Sequence, residues 1–250
     1  MRYAIYFAAP KDALLMQLGS EWLGRDPFTG NTLQQPAIDG VSADEFALLT
    51  TDPRRYGFHG TLRAPFHLKD GMSEADLVSA CATFAASTAP FESTGLSVNA
   101  LGKFLALTPS KPDAALNAFA NDCVRHFEHL RAPLSSADLE RRRQAQLTPK
   151  QDEYVQTWGY PYVFDEFRFH MTLSNKLENE TIRVKLQKAA ADFFAKVADR
   201  PASVNSFGLY TEAQKGAPFQ VHTIFTLTGS AKTGSTSSDS AKAADHSVSN

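Results

Sequence analysis

The strings Phe58-His59-Gly60-Thr61-Leu62 and Phe169-His170-Met171-Thr172-Leu173 decide the reading of this chain. Their histidines stand 111 residues apart, so the pattern Phe-His-x-Thr-Leu is written twice. Residues i and i+2 of a β-strand point to one face. Each copy, placed on a strand, therefore presents an imidazole and a hydroxyl side by side. Alternation adds Gly57 and Arg63 to that face in the first copy, and Arg168 and Ser174 in the second. The other face carries Phe58, Gly60 and Leu62, or Phe169, Met171 and Leu173, and is expected to pack on a helix of its own lobe. A polar face is costly to bury dry, so the two strands are expected to line a wet cleft.

Outward from the two strings, the surroundings repeat as well. Each is followed by a short linker, a helix-like stretch (74–87 and 179–198) and two strand-like runs. The runs share residues: Ser97-Val98-Asn99-Ala100-Leu101-Gly102 answers Ser203-Val204-Asn205-Ser206-Phe207-Gly208. Leu107-Thr108 answers Leu227-Thr228 in the same way. This is the signature of a degenerate internal duplication. It predicts two similar lobes about a pseudo-two-fold axis, with the motif strands (57–64 and 166–174) meeting at the centre. Further strands are expected at 2–8, 91–100, 103–108, 202–211 and 219–228. Helical spacing marks 11–23 and 42–49, the latter stopped by Asp52-Pro53. A helical insertion over about 112–160 breaks the symmetry. Residues 1–229 form the expected folded domain, and 230–250, rich in Ser, Ala, Thr and Lys, the expected disordered tail.

The bulk composition narrows the function class. A content of 43% hydrophobic and 21% charged residues is that of a globular domain. A net charge of -2 argues against a long nucleic-acid track, which needs many phosphates neutralised. The start of the chain carries Pro10, Lys11 and Asp12 where a secretory leader needs an unbroken apolar core, and no apolar run reaches membrane-spanning length. A cytoplasmic protein with no membrane partner is the expectation. Cys81 and Cys123 lack metal-ligand spacing and read as reduced thiols.

Two imidazoles across a cleft can act as a base and an acid, one taking a proton from water or a ribose hydroxyl, the other protonating the departing oxygen. Hydroxyls of Thr61 and Thr172, with Arg63 or Arg168, can hold non-bridging phosphate oxygens. Which histidine is acid and which is base stays open. A zinc site could draw on His67 and His222, but no His-x-x-x-His or Cys-x-x-Cys is present. A serine elbow for Ser–His catalysis is also missing. His126 and His129 read as one helix end. Arg141-Arg142-Arg143 reads as a solvated helix face or, failing that, a phosphate-side contact or lid. Tyr56, Tyr160 and Tyr162 can stack on a base or sugar, or pack at the rim.

On these residues the chain resembles the two-histidine (2H) phosphoesterase superfamily, defined by paired His-x-Thr/Ser motifs. Tyr56-Gly57-Phe58-His59, the string Trp158-Gly159-Tyr160-Pro161-Tyr162 and the stretch Leu139 to Trp158 resemble one branch of it, the phosphonate-metabolism proteins of unknown function. The resemblance implies an α+β, bilobal fold with two antiparallel sheets flanked by helices around a central cleft. It implies catalytic roles for His59 and His170 and phosphate-binding roles for Thr61 and Thr172. Arg63 and Arg168 come from strand alternation alone. The implied activity is that of a cyclic phosphodiesterase, a phosphoric diester hydrolase needing no metal or other cofactor. Its implied substrate is small, a 2′,3′-cyclic nucleotide or a ribose cyclic phosphate. The rival readings are an RNA 2′,3′-cyclic end-processing enzyme and a non-catalytic phosphate- or nucleotide-binding module. The natural substrate, the P–O bond cleaved and the oligomeric state are not legible.

Overall fold

The computed structural model describes residues 1–230. Apart from Ser230, the tail expected to be disordered lies outside the described residues. In chain order the elements are β1 (Arg2–Phe7), α1 (Leu14–Leu23), α2 (Ala43–Leu49), α3 (Thr51–Tyr56), β2 (Gly60–Phe66) and α4 (Glu74–Ser87). They continue with β3 (Phe91–Ser93), β4 (Leu96–Leu101), β5 (Phe104–Pro109), α5 (Ala114–His126), α6 (Ser136–Arg143) and α7 (Pro149–Trp158). The last are β6 (Met171–Thr172), α8 (Glu180–Phe194), β7 (Ala202–Val204), β8 (Ser206–Glu212) and β9 (Gln220–Thr226). The fold class is the expected one: α+β, with antiparallel sheets and flanking helices.

Local chemistry sets the helix ends. Ser73 caps α4 in a reciprocal box with Asp76, and Thr148 does the same for α7 with Gln151, Pro149 filling the first helical position where no N–H is required. The last part of the expected helical insertion is two helices, α6 and α7, the second beginning at Pro149. The helix begun at Ser42 ends at Leu49 as expected, and Pro53 belongs to a separate short helix. It sits in the first turn of α3, where its missing donor costs nothing.

The sheets show how the duplication is assembled. One sheet has the strand order β2-β1-β8-β9 and another β4-β5-β6, with β3 and β7 pairing separately. The first motif strand, β2, therefore shares a sheet with the C-terminal hairpin β8–β9. The second motif strand, β6, pairs with β5 of the hairpin that follows the first motif. Each Ser-Val-Asn hairpin has crossed into the other motif's sheet, whereas each helix stays home: α4 packs on β8 and β9, and α8 on β4 and β5. The lobes are interlocked rather than sequential.

The apolar motif residues follow this interlocking and not the expected own-lobe packing. Phe58 stacks against Phe194 of α8, with ring centroids 6.2 Å apart. Its ring also fills the space beside Gly19 of α1, where a Cβ would come within 2.1 Å. Phe169 meets Phe7 of β1 edge-on at 5.6 Å. Trp22, fully buried, donates its indole N–H to the Leu173 carbonyl at 2.9 Å and so fastens α1 to the second motif. A single apolar cluster runs through both sheets. Among the described residues no helix is long and apolar enough to cross a membrane.

Candidate active site

His59 precedes β2 directly, in a bend opened by Gly57, whose φ of +76° is one only glycine adopts at little cost. A Cβ on Gly57 would also lie 2.6 Å from Pro27. The Gly57 carbonyl accepts a hydrogen bond from His59 Nδ1 at 2.8 Å. His170 precedes β6 directly, and its Nδ1 donates to the Arg168 carbonyl, also at 2.8 Å. The two imidazoles are thus fixed by the same bond to the residue two places back. A ring whose Nδ1 holds the proton in that bond leaves Nε2 as its free nitrogen. Thr61 Oγ1 lies 3.3 Å from His59 Nε2.

The two copies share their hollows. Thr61 and His170 line one cavity of about 650 Å³. His59 and Thr172 line a neighbouring hollow of about 240 Å³. Phe104, at the start of β5, is a wall of both, and its ring centroid stands 5.8 Å from that of His170. Each motif's histidine therefore opens onto the same hollow as the other motif's threonine.

The surroundings of the two imidazoles differ. His59 is stacked on the buried Tyr6 ring at 3.9 Å and is flanked by Tyr56 at 5.9 Å and Tyr210 at 6.3 Å. Burial among these rings pushes its pKa down to about 4, and the nearby His170 imidazole acts in the same direction against the carbonyl bond from Gly57. At neutral pH His59 is an uncharged ring with an open Nε2.

Arg63 is not free for the role that alternation gave it. Tyr6 of β1 pairs with Thr61, but the preceding Ile5 pairs with Arg63, so one step on β1 is matched by two on β2. Arg63 still borders the larger cavity with Thr61, but across that irregularity its guanidinium is taken up by α5 and the turn that follows it. Its guanidinium is 3% exposed and donates to the Val124 carbonyl and to Glu128, each at 2.5 Å. Arg63 belongs to the packing of α5 on the sheet, and we withdraw it from the phosphate-binding set. Arg168 lines the larger cavity too and, unlike Arg63, is exposed, with no ion pair or side-chain hydrogen bond among the described residues. Ser174 uses its hydroxyl on backbone, accepting from Leu105 N–H and donating to the Asn175 carbonyl.

Of the expected stacking residues, Tyr56 lies flat on Phe219 at 5.3 Å and lines the smaller hollow, while Tyr160 and Tyr162 line the larger one. Among the described residues no three His, Cys, Asp or Glu side chains gather as a set of metal ligands. His67 bonds the Met1 carbonyl, His222 faces Glu74, and His126 bonds the Ala80 carbonyl. Cys81 and Cys123 are buried free thiols. Sequence reading missed Tyr6 and Phe104, and read Arg142 first as part of a solvated helix face. Tyr6 and Phe104 sit in ordinary strand runs, and nothing local in the sequence separates them from core aromatics.

Comparison with known proteins adds the family. A relative from Janthinobacterium sp. (strain Marseille), named ribose 1,5-bisphosphate phosphokinase PhnN, is 39% identical over 221 residues, covering 87% of this chain and 49% of that protein. A protein of the same name from Laribacter hongkongensis (strain HLHK9) is 35% identical over 222 residues, covering 88% and 50%. The chain thus spans about half the length of the curated relatives it matches. Among solved structures, TT0787 of Thermus thermophilus aligns at a TM-score of 0.43 and 15% identity, over 92% of this chain and 99% of that one. E. coli LigT complexed with 3′-AMP aligns at 0.40 and 15%, over 91% and 98%. A sequence family described as "Protein of unknown function (DUF1045)" matches residues 61–220, from the first motif's threonine through the whole second motif, and the chain belongs to that family.

Proposed function

We propose that this protein is a phosphodiesterase that opens a small cyclic phosphodiester, with His59 as base and His170 as acid. The observation that carries the reading is the matched pair of imidazoles, each with Nδ1 spent on the carbonyl two residues back and each sharing a hollow with the opposite threonine. Two such groups with different surroundings divide naturally into acid and base. His59, kept uncharged by the tyrosines around it, takes the proton of the attacking water at Nε2. The water oxygen bonds to phosphorus, the bond to one ring oxygen breaks, and His170, acting as the imidazolium with its second proton on Nε2, protonates that oxygen as it leaves. Thr61 and Thr172, with Arg168, hold the non-bridging oxygens as charge gathers on them. The net change is addition of one water, and no step uses a metal or other cofactor.

The substrate class follows from the size and charge of the site. A cavity of about 650 Å³ suits a sugar phosphate or a mononucleotide, and a chain of net charge -2 is poorly matched to long RNA. The name ribose 1,5-bisphosphate phosphokinase on relatives that this chain matches across about half of their length supports a ribose phosphate and a place in phosphonate metabolism. The test is hydrolysis of cyclic nucleotide and ribose cyclic phosphates with EDTA present. His59→Ala and His170→Ala should each lose at least about two orders of magnitude in rate. Near-full activity in either variant overturns the reading.

A further inference from the structure

The larger cavity holds more positive charge than one phosphodiester requires. The chain as a whole has a net charge of -2, yet Arg2, Arg63, Arg131, Arg141, Arg142, Arg168 and Lys215 all border this one hollow. Most of these cations are spoken for. Glu212 pairs with Arg2, Glu128 with both Arg63 and Arg131, and Asp138 with Arg141 and, at 3.8 Å, Lys215. Arg142 and Arg168 form no ion pair and donate no side-chain hydrogen bond among the described residues. Of the two, Arg168 lies two residues from His170 and is already placed with the scissile phosphate.

Arg142 is a different case, because it is partly buried. Its guanidinium lies over the Tyr160 ring at 5.4 Å, and its Nε is shielded from solvent without a partner. Burial and the neighbouring Arg141 and Arg2 all push its pKa down, against the weaker pull of Tyr160 and Asp138. Leaving a charged donor desolvated and unpaired is costly. It is kept at a site where an anion arrives to complete it. An arginine held over an aromatic ring keeps its N–H donors for other partners, which suits the oxygens of a phosphate.

Deepening the phosphodiesterase reading, on which it rests for the identity of the first phosphate, we infer that the cavity binds a second phosphate group of the same substrate through Arg142. The substrate class is then a cyclic phosphodiester of a sugar that also bears a phosphate monoester. Tyr160 positions Arg142 from beneath.

The test compares uridine 2′,3′-cyclic phosphate with the same compound phosphorylated at its 5′-oxygen, in wild type, Arg142→Ala and Arg142→Lys. One charge-assisted phosphate contact predicts a wild-type kcat/KM about 10- to 100-fold higher for the 5′-phosphorylated compound. Arg142→Ala should shrink that ratio at least about tenfold, and Arg142→Lys should keep part of it. A ratio is immune to a general loss of folded enzyme. A wild-type ratio near one, or a ratio unmoved by Arg142→Ala, overturns the second site while leaving the phosphodiesterase standing. If neither compound turns over, the phosphodiesterase reading fails, and calorimetric dissociation constants of the same two compounds decide this inference by the same ratios.

Discussion

Gly60 of the first motif touches Phe169 of the second: a Cβ built on Gly60 would lie 2.5 Å from the Phe169 ring. The variable position of the first Phe-His-x-Thr-Leu string is glycine because the second string's phenylalanine fills the space. This contact sets the distance between the segments that carry the two histidines. Gly60→Ala should therefore overpack the junction and cost about 1–3 kcal/mol of stability. Phe169→Leu on the Gly60→Ala background should recover part of the loss. Chemical denaturation of the two single variants and the double variant measures the coupling. Strict additivity would show that the contact does not govern the junction.

The environment of His59 makes a signed prediction about pH. Its folded pKa is about 4, against about 6.5 in an unfolded chain. Between those values the unfolded state takes up a proton that the folded state refuses, so folding stability falls as pH drops from about 6.5 to about 4. The contribution is complete above that window. His59→Gln should flatten the melting-temperature slope over this range. The acid limb of kcat/KM should correspondingly lie near pH 4, not near 6.5, since it reports the base in the free enzyme.

Tyr6 is the main cover on that ring, centroid to centroid at 3.9 Å. Replacing it by Leu removes the stacked face and admits water to His59. The acid limb should then move up toward the ordinary histidine range, while His170, which does not face Tyr6 among the observed aromatic contacts, keeps the basic limb in place. A pH–rate profile of Tyr6→Leu checks this, and an unmoved acid limb would return the roles of acid and base to an open state.

What the sequence made legible was whatever depends on neighbours along the chain. The capped start of α4 at Ser73 and the helical stretches around α1, α5 and α8 follow from local residue types. The contact of Thr61 with His59 follows from their spacing, but the sharing of each hollow between one motif's histidine and the other's threonine does not. The exchange of the hairpins between sheets was not legible, because β8 pairs with β1 across some two hundred residues and no local pattern encodes that choice. The second motif strand is only Met171–Thr172, since the chain before it is held in a short turn at Phe164–Glu166. Arg142 reads from sequence as one of three exposed arginines. Only tertiary packing separates it from Arg143, which pairs with Asp152 in solvent.

Arg63 shows the same limit at a single position, and it yields the sharpest test of fold against site. Alternation puts it beside Thr61, and both border the larger cavity, but across the irregular step opposite Ile5 and Tyr6 its guanidinium is taken up by α5 and the turn that follows it. There Glu128 holds both Arg63 and Arg131, through bonds of 2.5 and 2.7 Å. Removing the shared carboxylate strands a guanidinium that is 3% exposed, so Glu128→Ala should cost about 3–5 kcal/mol. Arg63→Met fills a similar volume without a charge and should cost much less, since the carboxylate it leaves is partly exposed and keeps Arg131 as its partner. A phosphate-binding arginine would show the opposite order: Arg63→Met would raise KM sharply while Glu128→Ala left it nearly unchanged. Denaturation midpoints and steady-state kinetics on the two variants distinguish a strut between α5 and β2 from a substrate ligand.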